Sequence, residues 1–263
     1  MTDPVLIDHR DAVAWLTLNR PEAGNAIDAA LARRLRELVE DVADDTAVRC
    51  VVLQGRGRLF CAGGDVSALH AAGAERPRLL RTILTDLHPA IARLARMEKP
   101  VITAINGPAA GAGLVLAAVG DMALAAPEAH FTMAYSRIGL SPDAGTSWLL
   151  PRLIGLRRTQ ELALTNRRVS APEAESMGLV TRVLPKGELE AAVVALAHEL
   201  VDGATAALGA TKRLLLASGS ASLDEALDAE REQIVAQGGS SESAEGFAAL
   251  VERRTPAFRI AVR

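Results

Sequence analysis

Two short glycine-rich stretches carry residue types that can stabilise negative charge without any side-chain chemistry: FCAGGD at residues 60–65 and NGPAAGAG at residues 106–113. Each follows an apolar, largely β-branched run, Cys50-Val51-Val52-Leu53 and Val101-Ile102-Thr103-Ala104-Ile105, of the kind that forms a buried strand. Small residues let the backbone approach a ligand closely, and N–H groups freed at a loop or helix start attract negative charge. Side by side, the two stretches could form an oxyanion hole with one amide from each. The same composition also serves tight helix–sheet packing, and the residues alone leave both readings open.

Other chemistries fit poorly. Neither stretch continues into G-K-[ST], and neither is a G-x-G-x-x-G dinucleotide fingerprint. His9, His70, His88 and His130 have no G-x-S-x-G partner and read as solvated side chains. Cys50 and Cys61 have neither the number nor the spacing of a disulfide framework or metal site, and Cys61, with no paired histidine, reads as a small buried residue. No metal, NAD, pyridoxal phosphate or nucleic-acid site is indicated. Backbone amides and carboxylates remain as the chemical tools.

The elements that must position these loops alternate between strands and helices. Val5-Leu6-Ile7 and residues 13–18 read as short strands with the His9-Arg10-Asp11 segment as their turn. Asp28 is placed to cap a helix to about Val42, with Leu31, Leu35, Leu38 and Val42 on one stripe. A second helical pattern covers residues 79–97 and ends at Lys99-Pro100. NGPAAGAG opens a small-residue helix to Val119, residues 122–125 follow as a strand, and another helix starts near Thr146. Ser170-Ala171-Pro172-Glu173 has capping-box spacing, Gly178 ends that short helix, and residues 180–183 return as a strand. From Glu188 onward the pattern is almost wholly helical, placing a boundary between an α/β core at 1–190 and a helical segment at 191–263.

Composition agrees with a globular protein. The 263 residues suffice for a core without disulfides or metals, and aromatics at 3% mean that core is packed with aliphatic side chains. A formal charge of -3 gives no electrostatic reason to bind nucleic acid. The N-terminal residues lack a signal-peptide pattern, and the longest weakly polar stretch, 101–116, is too broken by Asn106 and Pro108 to span a bilayer. The expected setting is cytoplasmic, with no membrane partner.

Taken in order, LTLNRPEAGNAI (16–27), GRLFCAGGDV (57–66), KPVITAINGPAAGAG (99–113), IGLSPDAG (138–145), LPRLIG (150–155) and S-x-x-E-A-x-x-x-G-L-V (170–180) resemble the crotonase, or enoyl-CoA hydratase/isomerase, superfamily over essentially the whole chain. The resemblance implies an α/β fold: a superhelical core of repeated β-β-α units with a C-terminal helical segment for trimerisation and as a lid, assembled as trimers or dimers of trimers. It also implies an acyl-CoA thioester substrate, with CoA entering as part of the substrate and no separate cofactor. Its carbonyl oxygen would sit between the amides of Ala62 and Ala112. Ala26, Gly63, Gly64, Asp65, Leu69 and Gly111 would flank the ligand, with Asp65 bracing its loop and Arg253 or Arg254 reaching the CoA phosphates.

Hydratases of this family use two glutamates, whose positions here hold Val115 and Tyr135. Valine cannot move a proton, and a tyrosine of ordinary pKa, about 10, is a poor base at neutral pH. Asp143, in SPDAG, stands where isomerase branches carry a catalytic aspartate, and AYSRIGLSPDAGTSWLLPRLIG (134–155) resembles the epoxyphenylacetyl-CoA isomerase-like branch most. One carboxylate suffices for isomerisation, because the same group can remove a proton and return it elsewhere. S-P-D-A-G is equally good turn chemistry. Tyr135 and Trp148 could line the acyl site or simply pack, and Glu128 reads as a surface turn residue. Isomerase is the favoured expectation. Hydration, hydrolysis or dehalogenation by an unusual base is the alternative, and a non-catalytic acyl-CoA-binding protein is the third.

Overall fold

The computed structural model describes residues 3–261. Strand β1 (Val5–Arg10) pairs antiparallel with β2 (Val13–Leu18), and the chain reverses at Asp11 and Ala12, both left-handed with φ of 46° and 65°. Two such residues match the twist of a two-residue hairpin, so the strand runs on through His9 and Arg10, which the sequence pattern assigned to the turn. β2 then pairs in parallel with β3 (Cys50–Gly55), β3 with β4 (Val101–Ile105), and β4, past the two-residue β5 (Ala109–Ala110), with β6 (Met122–Ala125). β5 joins β7 (His130–Thr132) and β8 (Val169–Ser170) in a small second sheet, while β9 (Arg182–Val183) closes the main sheet beside β6. The strand expected at 180–183 is thus only its last two residues.

Alternation along each strand divides the core into two layers. Val51 and Leu53 of β3, with Ala14, Leu16 and Leu18 of β2, face the main core. Cys50 and Val52, with Val13 and Trp15, face the opposite side. The main core is covered by α1 (Ala29–Asp44), which packs Leu31, Leu35, Leu38 and Val42 inward and is capped where Asp28 accepts the Leu31 N–H at 2.8 Å. Beyond α2 (Val66–Ala71) comes the long α3 (Arg76–Arg96), buried through Ile83, Leu87, Ile91 and Leu94. α4 (Ala112–Ala118) is buried along its whole length. α5 (Thr146–Ile154), α6 (Leu156–Thr165) and α7 (Ala171–Met177) follow, the last capped by Ser170 as its sequence spacing predicts.

The opposite face is closed by α8 (Leu189–Asp202), whose Val193, Ala197 and Val201 pack on Trp15, Val52, Ile102 and Leu124. The boundary expected at residue 190 therefore falls inside a helix that belongs to the core. The helical extension begins after Gly203 with α9 (Thr205–Ser218), α10 (Leu223–Gly238), α11 (Ser241–Glu252) and the short α12 (Phe258–Ala261). Leu223, Leu227, Ile234, Val235, Phe247, Leu250 and Val251 on these helices are exposed. Among the described residues no single helix is long and apolar enough to cross a membrane. The architecture is a repeated β-β-α core with a C-terminal helical segment, as the sequence motifs imply.

Candidate active site

The loops after β2, β3 and β4 leave the carboxyl ends of three adjacent parallel strands, where α/β sheets place their ligands. The two glycine-rich loops meet there backbone to backbone. Phe60 and Cys61 N–H both donate to Pro108 O (3.1 and 3.2 Å), and Ala110 N–H donates to Cys61 O at 3.0 Å. Asn25 ties in the β2 loop. It is fully buried, its Nδ2 donates to the carbonyls of Arg56, Leu59 and Phe60, and its Oδ1 accepts the Arg20 N–H. Asn25→Ala removes all four bonds and strands buried carbonyls. A loss of about 3 kcal/mol in unfolding free energy is expected in urea titrations, with wild-type stability the result that would refute this role.

The oxyanion pair differs from the expectation at one position. Ala62 N–H donates to Gly24 O at 2.9 Å, so it is not free for a ligand. Gly64 N–H, further along the loop, is unengaged within the described chain, and so is Ala112 N–H at the first turn of α4. Gly64 and Ala112 line the same cavity, together with Ala62, Gly63, Leu69, Gly111, Tyr135 and Asp143. The free amides are thus those of Gly64 and Ala112.

Asp65 accepts the Ala68 N–H (3.0 Å) as the cap of α2 and also pairs with Arg20 (3.1 Å). These partners, the Ala68 N–H foremost, hold its carboxyl below the usual range despite partial burial. Arg20, which reaches Asp28 and the Ala26 carbonyl as well, joins the loop after β2 to the first glycine-rich loop and is recognisable in sequence only as part of the LNRPE motif.

Asp143 is half-buried on the turn before α5. Tyr135 Oη donates to Asp143 Oδ1 at 2.6 Å and lies 3.2 Å from Thr146 Oγ1. Burial, and then the Asp143 charge, push the Tyr135 phenol well above its ordinary pKa, so it stays protonated as a donor. Cys61 is not a competing nucleophile, because burial pushes its thiol up to about 12.

The cavity holding Asp143 is otherwise apolar, lined by Leu80, Ile83, Leu84, Leu87 and Leu140. A second, larger cavity of about 270 Å³ adjoins it, with consecutive residues Leu87 and His88, and Asp143 and Ala144, lining one cavity each. Val115 lines this second space, and so does Trp148, which is partly exposed beneath the Arg152 guanidinium (4.1 Å). Trp148 is therefore not brought together with Asp143. Ala26 lies buried beside the site without lining it. Arg254 is held by Glu245 and Glu252 on the C-terminal helices, away from the cavity residues, and would have to leave both carboxylates to reach a phosphate. Arg253 caps α11 in a left-handed conformation. Among the described residues no cluster of His, Cys, Asp and Glu is arranged to hold a metal.

A sheet-end cleft with two free amides, one from each of two interlocked loops, can stabilise negative charge on a bound oxygen. Residues 8–260 match the family described as enoyl-CoA hydratase/isomerase, and the chain belongs to that crotonase-type family. It is 38% identical to 1,2-epoxyphenylacetyl-CoA isomerase of Escherichia coli K12 over 259 residues, covering 98% of this chain and 99% of the relative. It is 33% identical to 4-chlorobenzoyl coenzyme A dehalogenase-2 of an Arthrobacter species, covering 98% and 94%. An enoyl-CoA hydratase structure from Polaromonas sp. JS666 superposes with a TM-score of 0.91 at 34% identity, covering 96% of this chain and 98% of that one. Relatives of such similar standing carry different reactions, so the chemistry must be read from the site.

Proposed function

We propose that this chain is an acyl-CoA isomerase that shifts a double bond, or rearranges a ring, of an enoyl-type thioester by proton transfer through one carboxylate. The observation that carries this reading is the composition of the cleft. Asp143 lines it together with the two free amides, while the positions at which related hydratases carry glutamates hold Val115 and Tyr135. The thioester oxygen would accept the Gly64 and Ala112 N–H groups, which stabilise the enolate as it forms. Asp143 would remove an α- or γ-proton and return it at the other end of the dienolate. The apolar walls exclude water from the intermediate, and the adjoining cavity offers room for the far end of an apolar acyl group. The likeness to the epoxyphenylacetyl-CoA isomerase supports an isomerase of that branch.

The exposed apolar side chains of the C-terminal helices support a homo-oligomer, a trimer or a dimer of trimers, in which those helices pack on another copy. The test of function is incubation of wild type and Asp143→Asn with 3-enoyl-CoA and 2-enoyl-CoA in deuterated water, followed by mass and double-bond position. Interconversion with deuterium uptake, lost in the variant, is the expected result. Net water addition that survives the substitution would mean a hydratase with another base. Acyl-CoA binding without turnover, on ring-containing thioesters as well, would mean a binding protein.

A further inference from the structure

Asp143 is presented by a turn whose next residue, Ala144, is left-handed (φ 56°) and almost fully buried. An alanine in that conformation carries a steric cost and persists only where its surroundings hold it. One side of the turn is closed by Thr146, whose N–H and Oγ1 both bond to Asp143 O. The other side is held from a different element. Ala144 N–H donates to Nε2 of His88, on α3, at 3.3 Å. His88, exposed on α3 as the sequence reading expects, is thus also the acceptor for a buried amide directly after the candidate base.

We infer that His88 is a positioning residue for Asp143: its Nε2 lone pair fixes the Ala144 turn. The inference rests on the isomerase reading for its catalytic consequence, but not for its structural one. Accepting from Ala144 requires the tautomer with its proton on Nδ1. Without that acceptor the Ala144 N–H is left buried and unpaired, and the turn that presents Asp143 loosens.

The test compares wild type, His88→Leu and His88→Gln. Leucine keeps bulk and removes the acceptor, whereas glutamine returns a carbonyl acceptor. His88→Leu is expected to lower kcat about tenfold with KM little changed. His88→Gln should restore most of the loss. Equal damage in both variants, or wild-type kcat in His88→Leu, would overturn the inference.

A second readout needs no turnover. In nitrogen-15 NMR of the wild type, His88 should show the Nδ1–H tautomer, and the Ala144 amide resonance should shift in His88→Leu and return in His88→Gln. An Nε2–H tautomer, or an Ala144 amide indifferent to both substitutions, overturns the inference. If no thioester is turned over, the isomerase reading fails, and the NMR result alone decides whether His88 holds the turn.

Discussion

Asp143→Asn is expected to lower kcat for double-bond migration by roughly 10²–10⁴-fold, the usual share of a positioned general base, with KM little altered. Asparagine preserves the size of the side chain and can still accept the Tyr135 hydroxyl, so the turn and cavity should survive. What it loses is the ability to take a proton at neutral pH. No other side chain shown to line that cavity can substitute. The remaining lining is glycine, alanine, aliphatic residues and a phenol kept protonated by burial and by Asp143 itself. Single-turnover rates and solvent-deuterium incorporation would measure the effect. Retention of near wild-type exchange in a correctly folded variant would show that another group carries the proton.

The second large effect is expected at Gly113, on the first turn of α4. A Cβ there would lie 2.3 Å from Cys61 O and 2.8 Å from Cys61 Cβ and Sγ, closer than real Cβ contacts allow. Two opposing contributions compete in Gly113→Ala. Alanine favours a helix by roughly 1 kcal/mol over glycine, while overpacking a buried contact costs about 1–3 kcal/mol. The clash wins, because the nearest atom met is the Cys61 backbone oxygen, which cannot rotate away. Cys61 O is itself fixed by the Ala110 N–H. The start of α4 must move, carrying the Ala112 amide off its line. Loss of one oxyanion donor corresponds to roughly 10²–10³ in kcat. Gly238→Ala is the control, since nothing lies within 4 Å of a Cβ at that helical position. Full activity in Gly113→Ala would mean that Ala112 does not serve the site.

Much of this arrangement is legible in the sequence because it is written locally. The stripe of Leu31, Leu35, Leu38 and Val42 places α1, Asp28 and Ser170 mark helix starts, and the β-branched runs mark β3 and β4. The residues that escape are those whose partners are distant in the chain. Whether Ala62 or Gly64 offers its amide depends on where the Gly24 carbonyl arrives. His88 is ordinary until α3 brings it against Ala144. Arg254 reads as a free cation until Glu245 and Glu252 claim it, and Trp148 sits across a wall that no pattern in 134–155 reveals. The boundary expected near residue 190 lies within α8 for a related reason. Composition changes where helices begin, yet α8 still serves the sheet.

The interlocked loops have a consequence for how such a protein changes over time. The separation of the two free amides is set by main-chain contact, with Gly63 against Ala110 O and Gly113 against Cys61 O. Side chains around the cleft, by contrast, come from separate helices and turns: Val115 from α4, Tyr135 from the turn after β7, Asp143 from the turn before α5. An ancestor could therefore delete an acid at one of these places and acquire one at another without disturbing the anion socket. Descendants would share an electrostatic anchor and differ in the proton carrier, inheriting the difficult part of the catalyst and varying the easy part.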